Sequence, residues 1–192
     1  MTRLLLLIVF LGLLHGCAPV MVAGAAGGAA AAHDERATAT IIEDNLIEAR
    51  AKDAIYSDPE LVKKVHVNVT SVNHVVLLTG ETLSGPLRDK VLDMVARLDK
   101  VRRVHNEIRV ADLTDFQSRA NDAWLTSKIK AQMIAAKGVD STRINITTED
   151  GTVYLMGLVT HAEGDRATDI ARNVEGVKRV VKLFEYTDAP AT

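Results

Sequence analysis

Cysteine occurs once in the 192 residues, which excludes a disulfide framework and any site built on several thiolates. Basic residues are not in excess either. With 23 Lys and Arg against 25 Asp and Glu, the chain lacks the electrostatic footprint of a nucleic-acid binder. Aromatics are scarce at 4%, so the 47% apolar fraction rests on aliphatic residues, Ala prominent among them. The densest apolar run, Leu4 to Leu14, falls well short of the roughly 20 residues a membrane-crossing helix needs. Motifs for chemistry are missing too. No two His stand at the i, i+4 spacing of a helical metal motif, and no Gly-x-Ser-x-Gly marks a nucleophile. No phosphate-loop glycines are present. His66 and His105 read as solvent-facing strand residues, His74 as a turn residue, and the carboxylates as lying on solvated faces. No catalytic residue, metal site or cofactor is expected.

What is present begins with an address. Arg3 precedes the apolar run, which closes at Leu14-His15-Gly16-Cys17, the pattern of a secretory signal peptide over residues 1–16. Leu14, Gly16 and Cys17 resemble the bacterial lipobox, with His15 standing where a smaller or β-branched residue is usual. That resemblance implies acylation at Cys17, and Ala18 in place of Asp implies the inner leaflet of the outer membrane. More than one acyl chain is needed for firm anchoring, because each buried CH₂ contributes only about 0.8 kcal/mol. Residues 17–40 are rich in Ala and Gly, with no large apolar side chain after Val22. Gly24, Gly27 and Gly28 each disfavour a helix by roughly 1 kcal/mol, so this stretch reads as a flexible tether.

The remainder repeats itself at an offset of 76 to 78 residues. Val67-Asn68-Val69-Thr70 matches Ile144-Asn145-Ile146-Thr147, and Val76-Leu77-Leu78-Thr79-Gly80 matches Val153-Tyr154-Leu155-Met156-Gly157. Asp44-Asn45-Leu46-Ile47 matches Asp122-Ala123-Trp124-Leu125. Helical spacing over 42–56 and 86–98, with alternation over 65–71, 74–79 and 104–110, gives the order α-β-β-α-β for the first copy. The second copy parses the same way. Leu125, Ile129 and Met133 form one helical stripe, Glu149-Asp150-Gly151 a turn, and Ala167, Ile170, Ala171 and Val174 a second helix. The fold class is therefore α+β: two tandem units, each with two helices on a three-stranded mixed sheet, at 41–111 and 121–188 with a linker at 112–120. So short a linker leaves little room for independent tumbling, and a fixed pair is expected.

The paired units resemble BON domains. The resemblance is carried by Leu-x-Gly strand ends at Gly80 and Gly157 and by Gly176-Val177-Lys178-Arg179-Val180. In the first copy Lys100 replaces the glycine of that last motif. With the lipobox and the tether, the whole chain is similar to dual-BON outer-membrane lipoproteins. That likeness implies a non-enzymatic periplasmic module, lipid-anchored, that binds anionic phospholipid, supports envelope integrity and is associated with the division site.

One surface stands out from its residues alone. Opposite the Leu125, Ile129 and Met133 stripe lie Trp124, Ser127, Ala131, Ile134 and Ala135, apolar or small again, flanked by Lys128 and Lys130. A helix with one face in a core should be polar on the other. Trp favours a membrane interface, and Lys stems lie along apolar surface while their ammonium groups reach phosphate. These seven residues are the expected phospholipid site. The matching face of the first copy carries Leu46, Ala49, Asp53 and Tyr56, and Asp53 is repelled by an anionic leaflet. Two alternatives stay open: burial of the stripe against the other copy, and an envelope protein partner or peptidoglycan bound by a non-catalytic scaffold.

Overall fold

A computed structural model describes residues 35–187. The expected signal peptide, the expected lipidation site Cys17 and the stretch read as tether up to residue 34 lie outside the described residues. The order is α1 (Glu35–Ser57), β1 (Val65–Val72), β2 (Val75–Thr82), α2 (Gly85–Ala96), β3 (Arg103–Val110), α3 (Phe116–Ala135), β4 (Ile144–Glu149), β5 (Thr152–Val159), α4 (His161–Arg172) and β6 (Arg179–Tyr186). Each copy is α-β-β-α-β, with sheet orders β1-β2-β3 and β4-β5-β6. The hairpin pairs are antiparallel and the crossover pairs β2–β3 and β5–β6 parallel, so both sheets are mixed. No described helix is long and apolar enough to cross a membrane.

Both first helices start earlier than apolar periodicity suggests: α1 at Glu35, within the stretch read as tether, and α3 at Phe116, within the stretch read as linker. Once a core-anchored turn exists, each further residue adds a hydrogen bond without a new nucleation step. Good helix formers such as Glu35, Arg36, Ala37 and Ala120 therefore extend the helix. Asp115 fixes the start of α3 by accepting from the Ser118 N–H at 2.8 Å. In α4, Thr160 and Glu163 form a reciprocal capping box.

A buried aspartate in each first helix holds the hairpin of its own domain. Asn73 and His74, and Asp150 and Gly151, take positive φ, as tight two-residue hairpin turns require. The Asp122 carboxylate accepts from the Asp150 and Gly151 amides at 2.8 and 2.9 Å. Asp44 accepts from the Asn73 and His74 amides at 2.7 and 2.8 Å and from Ser71 Oγ at 2.6 Å. The repeated aspartate thus ties helix to sheet through a turn that has no other way to satisfy its amides.

The Leu-x-Gly glycines have an equally local cause. A Cβ at Gly80, where φ is +109°, would lie 2.0 Å from the His66 carbonyl oxygen, and one at Gly157 would lie 2.3 Å from that of Arg143. The neighbouring strand passes too close for any side chain. Gly80→Ala is expected to destabilise the soluble chain lacking residues 1–17 by about 2–4 kcal/mol in urea unfolding. Gly85→Ala, where a Cβ meets nothing within 4 Å, serves as the near-neutral control. Equal effects would refute the close-approach argument. At the position of Gly176, the first copy puts Lys100 at φ +68°, and its ammonium pairs with Glu43, which also bonds His74.

Each copy has its own core. In the first, Ile47, Ala51 and Ile55 of α1 and Leu87, Val91 and Val95 of α2 cover Val67, Val69, Val76 and Leu78. In the second, Leu125, Ile129 and Met133 of α3 with Ala167 and Ala171 of α4 cover Ile146, Val153 and Leu155. A third cluster joins the copies through the sheet faces that carry no helix: Val75 and Leu77 against Tyr154 and Met156. This is why β2 is buried along its whole length, a pattern expected where both faces of a strand are covered. Thr70 and Thr147, equivalent positions in the repeat, face each other at 3.2 Å across this contact. Around this contact Arg102 and Asn73 bond Glu185, and Arg109 bonds Asp150.

Candidate functional site

Burial between the copies belongs to the sheets, so the outer face of α3 is free of the other domain. Asp122, Leu125, Ile129 and Met133 point into the second domain. Trp124 on the opposite side is 55% exposed and Ile134 66% exposed. Ser127, Ala131 and Ala135 are exposed between them, and Lys130 is exposed at the flank. The Ser127 hydroxyl donates to the Ala123 carbonyl at 2.9 Å, which turns its polarity back onto the helix. Lys128 lies over the Trp124 ring with Nζ 4.6 Å from the centroid. That contact keeps the ammonium beside the indole without removing it from water.

The structure adds a residue that the linker reading hid. Phe116 opens α3 and is 77% exposed, the most exposed large apolar side chain among the described residues. Phe116, Ala120, Trp124, Ser127, Ala131 and Ile134 recur at steps of four and three and share one face. At 1.5 Å per residue the strip runs about 27 Å. The only signal in the sequence was Asp115 three residues before Ser118, a cap for a helix starting at Phe116.

The corresponding strip of α1 is used differently. Leu46 and Asp53 are exposed, but the Tyr56 hydroxyl accepts from the Val67 N–H and donates to the Val67 carbonyl, both at 2.9 Å. The Glu48 carboxylate accepts from the Ser71 N–H at 2.9 Å. These side chains cover the outer edge of β1, a standing hazard in any sheet. Glu43 is engaged with Lys100 and His74. Ile134 stands in the repeat where Tyr56 does and is left free.

Two expectations about charged groups need correction. His66 does not face solvent. Its side chain is only 19% exposed and points at Glu81, with Nδ1 3.4 Å from Oε2. Nor are the carboxylates all on solvated faces, since Glu81 and Glu149 are buried between the domains. Burial pushes the Glu81 carboxyl up, but bonds from Arg109 at 2.7 Å and Thr114 at 2.9 Å outweigh it and hold it below the usual range. For Glu149 burial wins and its carboxyl is raised. The Asn68 amide at 2.9 Å offsets this in part, and the charge of Glu81 adds to it. The sequence could not show this grouping, because the three side chains come from three strands. Among the described residues His66, Glu81 and Glu149 are the one set of three with metal-ligating atoms, all within 4.8 Å of one another.

Two tandem α-β-β-α-β units, each with two helices on a mixed three-stranded sheet, define a dual-domain α+β protein. The BON domain profile matches residues 43–112 and 121–188, and the chain belongs to the BON family. It is similar to outer membrane lipoprotein DolP of Haemophilus influenzae, 33% identical over 175 residues and 91% of each chain. It is also similar to the 21 kDa hemolysin of Actinobacillus pleuropneumoniae, at 31% over 153 residues, 80% of this chain and 79% of the other. Osmotically-inducible protein Y of Escherichia coli is 32% identical over 142 residues, 72% of this chain and 70% of its own. The protein is a dual-BON, DolP-like lipoprotein of the outer membrane.

Proposed function

We propose that the protein docks on anionic phospholipid through the exposed face of α3 in its second BON domain, while acyl chains on Cys17 anchor it, and that it supports outer-membrane integrity without catalysis. The observation that carries this reading is an apolar strip on a helix whose other face is already in a core. A helix lying flat on a leaflet buries such a strip while its flanking lysines stay at headgroup level. Phe116, Trp124 and Ile134 supply the inserting side chains, and Lys128 and Lys130 the attraction to phosphate. Each such charge contributes about 1 kcal/mol near an anionic surface and is screened by salt. The first domain carries Asp53 on the equivalent strip and spends Tyr56 on its own sheet edge, so it suits a structural role.

Flotation of the soluble chain lacking residues 1–17 with phosphatidylglycerol vesicles tests this reading. Binding is expected with phosphatidylglycerol, not with phosphatidylcholine, and is expected to weaken as salt rises. Phe116→Ser should reduce it roughly tenfold without changing unfolding stability, since about 1.4 kcal/mol is tenfold and the side chain packs on little of its own domain. A chain that ignores both vesicles would favour the scaffold reading, in which lipid contact is through the acyl anchor alone.

A further inference from the structure

A cluster of polar side chains lies between the two BON domains. His66 on β1, Glu81 on β2 and Glu149 on β4 converge with their ligating atoms within 4.8 Å. Glu81 is fully buried and Glu149 nearly so. The cation bonded to this pair is Arg109, which reaches Glu81 alone, bonding Oε1 at 2.7 Å, and sends its other arm to Asp150 at 2.8 Å. Lys178 is also bonded to Asp150, Lys52 pairs with Glu48, and Arg119 lines the cleft beside His66 and Glu149. The remaining partners are neutral: Thr114 on Glu81, and Asn68 and Thr79 on Glu149 Oε2. Two buried carboxylates with a guanidinium bonded to one of them alone is a costly arrangement, which a further positive charge between them would offset.

The imidazole geometry indicates what kind of charge. His66 Nδ1 lies 3.4 Å from Glu81 Oε2 and 3.5 Å from Thr114 Oγ1, both long for a hydrogen bond. Two ligands each about 2.0–2.1 Å from one tetrahedral ion stand roughly 3.3–3.4 Å apart. The His66–Glu81 spacing therefore fits the edge of a coordination tetrahedron better than it fits a charge-assisted bond of about 2.7–2.9 Å. Closing Glu149 onto the same point takes at most about 1.5 Å, within a rotamer adjustment. A cleft of about 490 Å³, lined by His66, Asn68, Thr147 and Glu149 among others, gives an ion and its water a way in.

We propose that His66, Glu81 and Glu149 form a binding site for a divalent cation of the zinc class, with water as fourth ligand, that ties the first BON domain to the second. One imidazole and two carboxylates with an open position suit Zn²⁺, whereas Mg²⁺ prefers a near-octahedral shell of oxygens. Binding releases protons from the ligands, so affinity falls as the pH is lowered.

The test uses the full chain in detergent micelles, stripped with EDTA and freed of it, then titrated with ZnCl₂ by calorimetry and followed by thermal melting. One Zn²⁺ per chain is expected, together with a rise of several degrees in melting temperature that Mg²⁺ does not produce. Co²⁺ in place of Zn²⁺ should give the visible bands of a tetrahedral site. Glu149→Gln and His66→Gln should each weaken binding at least tenfold. Glu149→Gln removes a buried charge, so its metal-free melting temperature should hold or rise, which separates lost ligation from lost fold. No binding up to 100-fold molar excess, or unchanged affinity in either variant, would overturn the site.

Discussion

Replacing Trp124 with glutamate is expected to lower partitioning onto phosphatidylglycerol vesicles more than a hundredfold while leaving the fold intact. A Trp side chain carries about 150–250 Å². At about 25 cal/mol per Å², inserting the half that stands free contributes roughly 2–3 kcal/mol. A glutamate at the same point loses that and adds repulsion of about 1 kcal/mol from an anionic leaflet. The sum is about 3–4 kcal/mol, at about 1.4 kcal/mol for each tenfold. Because Trp124 is 55% exposed and lies opposite Leu125, Ile129 and Met133, the change does not enter the core. Sedimentation of the variant beside the parent, with circular dichroism on both, reads the two effects separately. A variant that binds within threefold of the parent would remove α3 from the interface.

Asp44→Ala is expected to have the largest effect on stability, about 4 kcal/mol, with Asp122→Ala somewhat smaller at about 3 kcal/mol. The Asp44 carboxylate accepts three hydrogen bonds, from Ser71 Oγ and the Asn73 and His74 amides. Asp122 accepts two, from Asp150 and Gly151. Bonds to a charged group contribute about 1.5–3 kcal/mol each, partly recovered when water reaches the vacated turn. Because the turn also sets the register of each hairpin, the loss should appear in unfolding rather than in a local fray. Urea unfolding of the two variants in the soluble chain decides it. A loss below 1 kcal/mol for Asp44→Ala would show that the turn amides find other partners and that the repeated aspartate is incidental.

Much of this fold was written in the repeat. Two copies with the same alternation and the same helical stripes gave α-β-β-α-β twice, and the structure has that order. The glycines at Gly80 and Gly157 were visible as repeated, though only the approach of the His66 and Arg143 carbonyls explains them. The same holds for Asp44 and Asp122, which matched in the self-comparison without disclosing their role. The sheet-to-sheet packing was less plain. Val75 to Leu78 and Val153 to Met156 are continuous apolar runs rather than alternating ones, which is the mark of strands covered on both faces.

The candidate surfaces were legible where one helix carried them and hidden where the chain had to fold to assemble them. The strip from Trp124 to Ala135 followed from spacing along a single helix. Phe116 was missed because its segment has no apolar period of its own and reads as connection until the helix grows back to Asp115. Tyr56 looked like part of an outer face, yet its hydroxyl is taken by the edge of β1, a contact eleven residues along that only the packed strand creates. The grouping of His66, Glu81 and Glu149 had no local trace, since two domains must meet before the three side chains do.

The most direct test of the account is the emission of Trp124, the one tryptophan in the chain. The soluble form lacking residues 1–17 should emit at long wavelength in buffer, as an exposed indole does. It should shift to the blue on titration with phosphatidylglycerol vesicles, not with phosphatidylcholine, and return when salt is added. An emission that stays at long wavelength while the protein nonetheless sediments with anionic vesicles would contradict the account, because it would place the lipid on another face of the molecule.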